Sequence, residues 1–355
     1  MVIGKHDDAR AAFESALAHI SPELAPRTAA IPRGRLHRKV SATFEMSHRH
    51  ADALAACDRA SDALTPLLPV PGAALDREAL HEWIWVQIER IGAHYWLADV
   101  AAIREHVDAV TPWMSRVDDP ELEAAFFHVL TQWGLRHERY LVSDDTVAHA
   151  RAALDRTEAQ HGLALSTAER RFTLGYVLLF HGEHAEATAL LEQAMSEGER
   201  LGFAQLFLRC RTYAAVARRR AGDDRAVVSL AEPALLMARD LGAQDYEAVA
   251  EANLAWVASR AFDRKQALAR ATRALSLWQS GNYMFPHQWL ARCPLLALTD
   301  PDEYSQIRTH AEALLAPSQM RWPPPTEQLL QTALATGVLA TTPETASARD
   351  SLLGA

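Results

Sequence analysis

A shift of 40 residues aligns three consecutive stretches of this chain: GEHAEATALLEQAMSEGERLG (residues 182–202), GDDRAVVSLAEPALLMARDLG (222–242) and FDRKQALARATRALSLWQSG (262–281). Glycines recur at the same spacing, with Gly162, Gly202 and Gly242 in one series and Gly182 and Gly222 in the other. Glycine is favoured where a helix ends in a left-handed turn. The stretches therefore predict a helical repeat with a period of about 40 residues.

Within each cycle, the apolar residues after the turn share the i, i+4, i+7 spacing of one helix face. These residues are Ala187, Leu191 and Ala194, then Val227, Ala231 and Ala234, then Ala267, Ala271 and Ala274. Small residues (Gly175, Ala215 and Ala255) stand seven positions before each turn, where they would let two helices approach closely. Each cycle is therefore predicted to be a helix A, a short turn and a helix B.

The composition is that of an ordinary globular protein: 355 residues, 49% apolar and 23% charged, with a formal net charge of −9. The negative charge argues against general nucleic-acid binding, which needs a basic surface. No apolar run approaches the ~20 residues of a membrane span, and the polar start of the chain does not resemble a signal peptide. Cys57, Cys210 and Cys293 are far apart and are predicted to be reduced core residues of a cytoplasmic protein.

The predicted fold class is all-α, a right-handed α-solenoid formed by one domain over residues 1–340. About eight repeat units are expected, with irregular repeats over residues 66–165 and a flexible C-terminal tail over residues 341–355. The first unit looks truncated, because GKHDDARAAFESAL (residues 4–17) matches a helix B, with Gly4 at its turn position, and no helix A precedes it. This unpaired helix predicts a chain cut from a longer protein, or an N-terminal edge that self-associates. Residues 166–169 (STAE) read as a capping box that opens a helix A.

The repeated pattern resembles the tetratricopeptide repeat. Its 40-residue period and the helix endings GERLG (198–202) and ARDLG (238–242) are similar to the longer repeats of the maltose-regulon activator type. The stretch PHQWLARCPLLAL (286–298) resembles the closing repeat of related proteins. Arrays of this kind form the C-terminal regions of bacterial LuxR-family regulators and of ATPase-linked nucleotide cyclases. The resemblance implies a regulatory module of such a signalling ATPase.

Common catalytic signatures are missing from the sequence, including the phosphate-binding loop, the dinucleotide-binding glycine pattern, the nucleophile elbow and the H-E-x-x-H zinc motif. His181 and His184 flank an inter-helix turn, where we read them as exposed turn residues, since a zinc site needs three or four converging ligands. Asp144-Asp145 and Asp223-Asp224 read as acidic residues at helix N-termini. We therefore expect no enzyme activity, no metal and no cofactor.

In tetratricopeptide arrays one face of helix A lines a concave groove that binds a peptide. Counting back from each turn puts an arginine-rich and aromatic set of residues on that face: Arg136, Arg139, Tyr176, Arg209, Arg219, Trp256, Trp289 and Arg292, with Arg35, Arg38 and Phe172 as further members. Arginine clamps carboxylates or phosphates bidentately, and aromatic rings stack on ligands. The alternative is that several of these aromatic side chains are core residues.

The leading functional hypothesis is a protein-interaction or ligand-sensing scaffold whose groove binds a protein, a peptide or a small effector. Two other hypotheses remain open at this point. One is a stand-alone peptide-receptor regulator, and the other is an enzyme with a pocket inside the superhelix.

Overall fold

The computed structural model of this chain describes residues 5–21, 23–47, 49–68, 76–160, 163–281, 285–340 and 342–354. Across these ranges the regular structure is helical, with seventeen α-helices, one short 3₁₀ helix at Thr65–Leu67 and no strand. The predicted all-α fold class is confirmed. The turn glycines predicted at Gly4 and Gly162 lie outside the described residues.

The helices follow one another along the chain, joined by short connections. Their bounds are α1 (Lys5–Ala18), α2 (Pro26–Glu45), α3 (His50–Leu64), α4 (Arg77–Leu97), α5 (Val100–Met114), α6 (Pro120–His137), α7 (Asp144–Ala159), α8 (Ala164–His181), α9 (His184–Arg200), α10 (Ala204–Arg220), α11 (Asp224–Asp240), α12 (Gln244–Arg260), α13 (Arg264–Ser280), α14 (Trp289–Leu298), α15 (Tyr304–Leu315), α16 (Pro324–Thr336) and α17 (Ala346–Gly354).

The chain divides into two compact units, whereas the sequence predicts one domain over residues 1–340. Unit 1 comprises Met1–Arg136 and Asp155–Gln160, and unit 2 comprises His137–Leu154 and His161–Ala355. One boundary falls between Arg136 and His137, at the end of α6, and Arg139 and Tyr140 beyond it take left-handed backbone conformations (φ 51° and 60°). It falls within residues 66–165, where the sequence predicts irregular repeats.

Unit 1 is built around α2, α3 and α4, which pack on one another and bury a small-residue and aliphatic core. The truncated helix predicted at the N-terminus is α1, and it lies against α2. Phe13 and Leu17 of α1 pack on the cluster that contains Val40 and Phe44, while Ala16 stays exposed. Self-association through this edge remains a prediction.

Unit 2 contains the regular repeats. Helices α8, α10 and α12 begin 40 residues apart, and so do α9, α11 and α13, as the aligned stretches predict. The turn glycines Gly182, Gly202, Gly222 and Gly242 all have positive φ, so the predicted left-handed turns are confirmed. The alanine stripes of the B helices are buried against their A helices, with Ala187, Ala231 and Ala271 among their fully buried members.

The small residue predicted before the turn has the expected role at Gly175. A Cβ built at this position would lie 3.0 Å from Leu191 Cγ and 3.2 Å from the carbonyl oxygen of Ala187. Helices α8 and α9 therefore approach so closely that no larger residue fits without movement.

Two local predictions need correction. Residues 166–169 do not cap a helix, because α8 begins earlier, at Ala164, and its N-cap Leu163 makes no side-chain capping bond. The predicted flexible tail contains α17, which contacts α14 and α16 and buries Ala348 and Leu352. Burial of these two side chains explains why the segment is helical despite its polar composition.

Other sequence predictions agree with the structure. Cys57, Cys210 and Cys293 are free thiols in the interior. Asp223 caps α11 by accepting a hydrogen bond from the Ala226 amide at 3.0 Å, and Asp144 lies in the first turn of α7. Among the described helices, none has both the length and the apolar character needed to cross a membrane.

Candidate functional site

The aromatic face of α8 in unit 2 is covered by the segment that leads into α14. His287 is fully buried there, and its Nε2 atom lies 2.7 Å from the Tyr176 hydroxyl in a hydrogen bond. The imidazole stacks on Phe180 with ring centroids 4.4 Å apart, and Tyr140 meets it edge-on at 4.5 Å. The chain itself therefore fills the surface where the sequence predicts a ligand-binding groove.

A second segment, between α15 and α16, is hydrogen-bonded to Arg139. The Arg139 guanidinium donates to the carbonyl oxygens of Gln319 (2.9 Å) and Ala316 (2.8 Å), and the Arg321 amide donates to the Arg139 carbonyl at 2.7 Å. Gln319 in turn donates from Nε2 to the Phe285 carbonyl at 2.9 Å. Arg139 thus joins two segments of unit 2 through backbone acceptors.

Arg219 lies between two indole rings. Its guanidinium carbon is 5.3 Å from the Trp256 ring centroid and 5.2 Å from that of Trp289, and Nη1 donates to the Leu290 carbonyl at 2.8 Å. Arg219 and Trp256 are 1% exposed and Trp289 is 2% exposed. Burial lowers the pKa of the Arg219 guanidinium to about 9. Three predicted site residues are therefore brought together.

Beside this cluster unit 2 has an open pocket of about 460 Å³. Four aromatic side chains and three arginines dominate its wall, and the C-terminal helix α17 forms one side. The lining residues are Tyr140, Leu141, Phe180, His184, Arg219, Arg220, Trp289, Met320, Arg321, Trp322, Pro323, Thr326, Asp350, Ser351 and Leu352.

The electrostatic character of the pocket is positive. Arg220 lies against the Phe180 and Trp289 rings at 5.6 and 5.3 Å, and in the part of the chain that the structure describes its side chain has no hydrogen-bond or ion-pair partner. Burial lowers the pKa of the Arg220 guanidinium, and burial followed by repulsion from Arg220 lowers that of His184. Within the described lining, Asp350 of α17 is the single carboxylate. The pocket is therefore suited to an anionic group beside an apolar one.

The predicted site residues in unit 2 are distributed around this pocket. Arg219 and Trp289 line the pocket. Tyr176 and Trp256 lie behind its wall, where Tyr176 contacts His287 and Trp256 contacts Arg219. Arg139 is hydrogen-bonded to the segment between α15 and α16.

The remaining predicted residues lie away from the pocket lining. The Arg209 guanidinium stacks on Phe172 at 4.3 Å, and Arg292 donates to the side-chain oxygen of Gln288. Arg136, in unit 1, is buried and donates to the Tyr95 carbonyl at 2.9 Å. These three arginines make internal contacts, and a role in ligand binding stays a prediction for them.

In unit 1 the further groove candidates Arg35 and Arg38 form ion pairs. Both donate to the buried carboxylate of Glu82, at 3.1 and 2.5 Å, and Arg38 also donates to Glu89 at 3.0 Å. Their charges are thus compensated within the unit, which leaves them less available to an acidic ligand.

Sequence reasoning missed Arg220, Arg321, Trp322 and Asp350. The run Arg218-Arg219-Arg220 was a visible signal, but consecutive helical residues point in different directions, so the run alone does not say which side chain enters a pocket. Asp350 was missed because residues 341–355 are predicted to be a tail.

No group of three or more histidine, cysteine, aspartate or glutamate side chains in the described residues is arranged to hold a metal ion. His181 instead contacts two carboxylates, Asp144 at 3.1 Å and Glu183 at 3.0 Å. His184, which the sequence places in an exposed turn, is half-buried in the pocket wall.

Comparison with known proteins gives similarity in structure alone: no family model matches the sequence, and no curated protein matches it. A Rap protein solved in complex with Competence and Sporulation Factor is similar with a TM-score of 0.62 and 13% identity, over 80% of this chain and 75% of that one. NprR in complex with its cognate peptide NprX has a TM-score of 0.57 and 11% identity, over 94% and 83% of the two chains.

A Signal Transduction ATPase with Numerous Domains from Pyrococcus horikoshii, which carries a tetratricopeptide repeat sensor, is also similar. Its TM-score is 0.50 and its identity 13%, over 83% of this chain and 44% of that one. Identities this low show the fold and no more. With the 40-residue helix pairs of unit 2, they establish that this chain is an all-α, tetratricopeptide-like helical repeat array.

Proposed function

We propose that this chain is a regulatory binding scaffold of the cytoplasm that holds a peptide, a segment of a partner protein or a small acidic effector in the pocket of unit 2. The observation that carries the proposal is the pocket wall, in which three arginines and four aromatic rings surround about 460 Å³ with one carboxylate among the described lining residues. The function is binding, with no chemical step.

The chemistry of the wall supports this choice. A guanidinium held against an aromatic face, as Arg220 is against Trp289, keeps its donors in a fixed plane for a carboxylate. Trp322 is held in place because its Nε1 donates to the Leu314 carbonyl at 3.0 Å, so one ring of the wall is preorganised. Arginine and tryptophan are also the side chains that contribute most binding energy at protein interfaces.

The similar structures favour a peptide ligand over the other candidates. NprR is solved with its cognate peptide and Rap with Competence and Sporulation Factor, and both share the repeat fold with this chain. The identities are 11% and 13%, so ligand identity does not transfer and the pocket chemistry has to define it.

The similarity to the signal transduction ATPase supports a finer form of the proposal, in which this array is the sensor attached to a signalling ATPase. The alternative is a regulator that acts alone. Reading the source genome upstream of the first codon decides between them, because a nucleotide-binding segment in frame supports the attached form and a stop codon directly upstream contradicts it.

The experiment that tests the binding function selects ligands from a random peptide library displayed against the full chain. Affinities of the enriched peptides are then measured by fluorescence anisotropy for the wild type, for Arg220→Gln and for Arg321→Gln. We expect at least tenfold weaker binding for both variants, because a hydrogen bond to a charged group contributes about 1.5–3 kcal/mol.

The matched control is Arg225→Gln, which removes an exposed arginine of α11 outside the pocket lining. It should leave the affinity unchanged. Equal affinity for the wild type and both pocket variants would show that this pocket is not the binding site, and failure to enrich any peptide would contradict a peptide ligand.

A further inference from the structure

The C-terminal helix α17 forms one wall of the pocket. It contributes Asp350, Ser351 and Leu352, and Leu352 is 2% exposed although the helix has nine residues and ends the chain. Ala348 is the second buried side chain of this helix, and α17 lies against α14 and α16. A polar C-terminal segment therefore places one apolar side chain, that of Leu352, at the site.

Of the two charged residues of α17, Asp350 lies in the pocket lining and Arg349 does not. Asp350 is the carboxylate of the described lining, and it shares that lining with Arg220 and Arg321, which have no ion-pair partner in the described parts of the chain. An acidic residue followed two positions later by a leucine is thus what the chain itself presents to an arginine-rich, aromatic wall.

The attachment of α17 is weak compared with that of the repeat helices. In the described part of the chain its side chains make no hydrogen bond or ion pair with the rest of unit 2, and the hydrogen bonds of Thr342 and Thr345 stay within the turn before the helix. A helix of this length is not stable alone, so its packing on α14 and α16 is what maintains it. Segments with few buried contacts open at a small free-energy cost.

We propose that α17 covers part of the binding surface in place of a ligand, and that the ligand is a peptide with an acidic residue two positions before a leucine-like residue, which displaces α17 on binding. This inference rests on the proposed function and deepens it, because it names the sequence class of the ligand and the element that regulates access.

A tethered competitor leaves the binding surface free in only a fraction of the molecules, and the apparent affinity for an external ligand is the intrinsic affinity multiplied by that fraction. A segment on a short tether has a local concentration in the millimolar range, so even a weak intrinsic interaction keeps α17 on its surface. Detaching α17 should therefore raise the affinity for the peptide without changing any arginine of the wall.

The test uses the full chain with Leu352→Asp, which removes the buried leucine of α17. The probe is a fluorescein-labelled peptide with the sequence of residues 342–354, TPETASARDSLLG. We expect it to bind Leu352→Asp at least tenfold more tightly than the wild type. The same peptide with asparagine in place of its aspartate should bind more weakly, because it loses a carboxylate in a lining that contains three arginines. Leu353→Asp is the matched control, because Leu353 is half-buried and outside the pocket lining.

Hydrogen exchange provides the second readout. Amides of residues 346–354 should exchange faster in Leu352→Asp, and in the wild type saturated with a library-selected peptide, than in the free wild type. If Leu352→Asp fails to fold by circular dichroism, Leu352→Ala serves as the milder variant with the same expected direction.

Two results would overturn the inference. Equal affinity of the probe for the wild type and Leu352→Asp would show that α17 does not compete, and unchanged exchange of residues 346–354 in the saturated wild type would show that it is not displaced. In either case, loss of selected-peptide binding by Arg220→Gln would still support the proposed function, so the two failures are distinguishable.

Discussion

At the scale of single residues, Phe262 departs from the repeat. It occupies the turn position that Gly182 and Gly222 hold in the preceding cycles, with the same left-handed backbone (φ 58°), and its side chain is 93% exposed. A left-handed conformation costs a residue with a side chain about 1–2 kcal/mol, and here no buried contact offsets that cost.

We therefore predict that Phe262→Gly raises the free energy of unfolding by about 0.5–1 kcal/mol, since the relief of strain exceeds the entropy that glycine adds to the unfolded chain. Chemical denaturation measures the change. As a control, Gly222→Ala at the equivalent turn should lower stability, because Gly222 has φ 72°. A less stable Phe262→Gly protein would mean that the ring makes a stabilising contact.

The backbone conformation or burial of a residue could be predicted where it follows from the 40-residue repeat. The positive φ of Gly202 and Gly242 follows from their places in the 40-residue series. The burial of Arg219 could not be foreseen, because its acceptor, the Leu290 carbonyl, is 71 positions further along the chain, and its contact with Trp289 is nearly as distant in sequence. Periodicity carries no information about such contacts.

At the scale of elements, the close approach of α8 and α9 at Gly175 gives a second prediction. Gly175→Ala should lower the free energy of unfolding by about 1–2 kcal/mol although alanine is the better helix former, because the added Cβ meets Leu191 Cγ at 3.0 Å and a backbone carbonyl at 3.2 Å.

Gly92→Ala in α4 is the matched control. Its added Cβ would meet only the side-chain oxygen Oε1 of Glu45 within 4 Å, at 3.4 Å, so the helix propensity of alanine should raise stability by about 0.5–1 kcal/mol. Thermal and urea unfolding of the two variants should therefore give changes of opposite sign. Equal stabilisation by both substitutions would show that α8 and α9 separate at little cost.

The helix pairs of unit 2 could be predicted because each pair repeats the same stripe and turn signals. α17 could not, since its only apolar residues besides alanines are Leu352 and Leu353, too few to define a periodic face. The same difference explains why the sequence predicts only part of the site. Arg219, Arg220 and Trp289 lie in helices α10 and α14, whereas Arg321 and Trp322 lie between α15 and α16 and the helix that completes the pocket has no periodic signal in its own sequence.

At the scale of the whole molecule, some charged side chains form ion pairs and others do not. Several buried carboxylates are paired, as Glu251 is with Arg239 and Arg270 at 2.8 Å each and Glu82 is with Arg38. In the pocket of unit 2, Arg220 has no ion-pair partner in the described chain. Its charge is therefore available to the acidic ligand that we propose.

Titration of buried histidines should make stability depend on pH. Burial, with smaller contributions from Arg90 and His94, lowers the pKa of His106 to about 4, and burial followed by repulsion from Arg292 lowers that of His310 to about 4. In the unfolded chain both titrate near pH 6.5. Between pH 4 and pH 6.5 the unfolded state therefore binds more protons than the folded state. The free energy of unfolding consequently falls as the pH falls from 6.5 toward 4.

Two carboxyl groups act in the opposite direction, because burial raises the pKa of Glu89 to about 8 and that of Asp245 to about 6. The pH dependence of the wild type is therefore a sum of opposing contributions, and the histidine part has to be isolated by substitution.

We predict that His106→Gln and His310→Gln each reduce the loss of stability on acidification below pH 6.5, by at most about 1.4 kcal/mol per pH unit. Urea denaturation across this range measures the slopes. Each neutral substitution removes one proton-binding group, so a slope identical to that of the wild type would mean that the replaced histidine binds protons equally in the folded and unfolded chains.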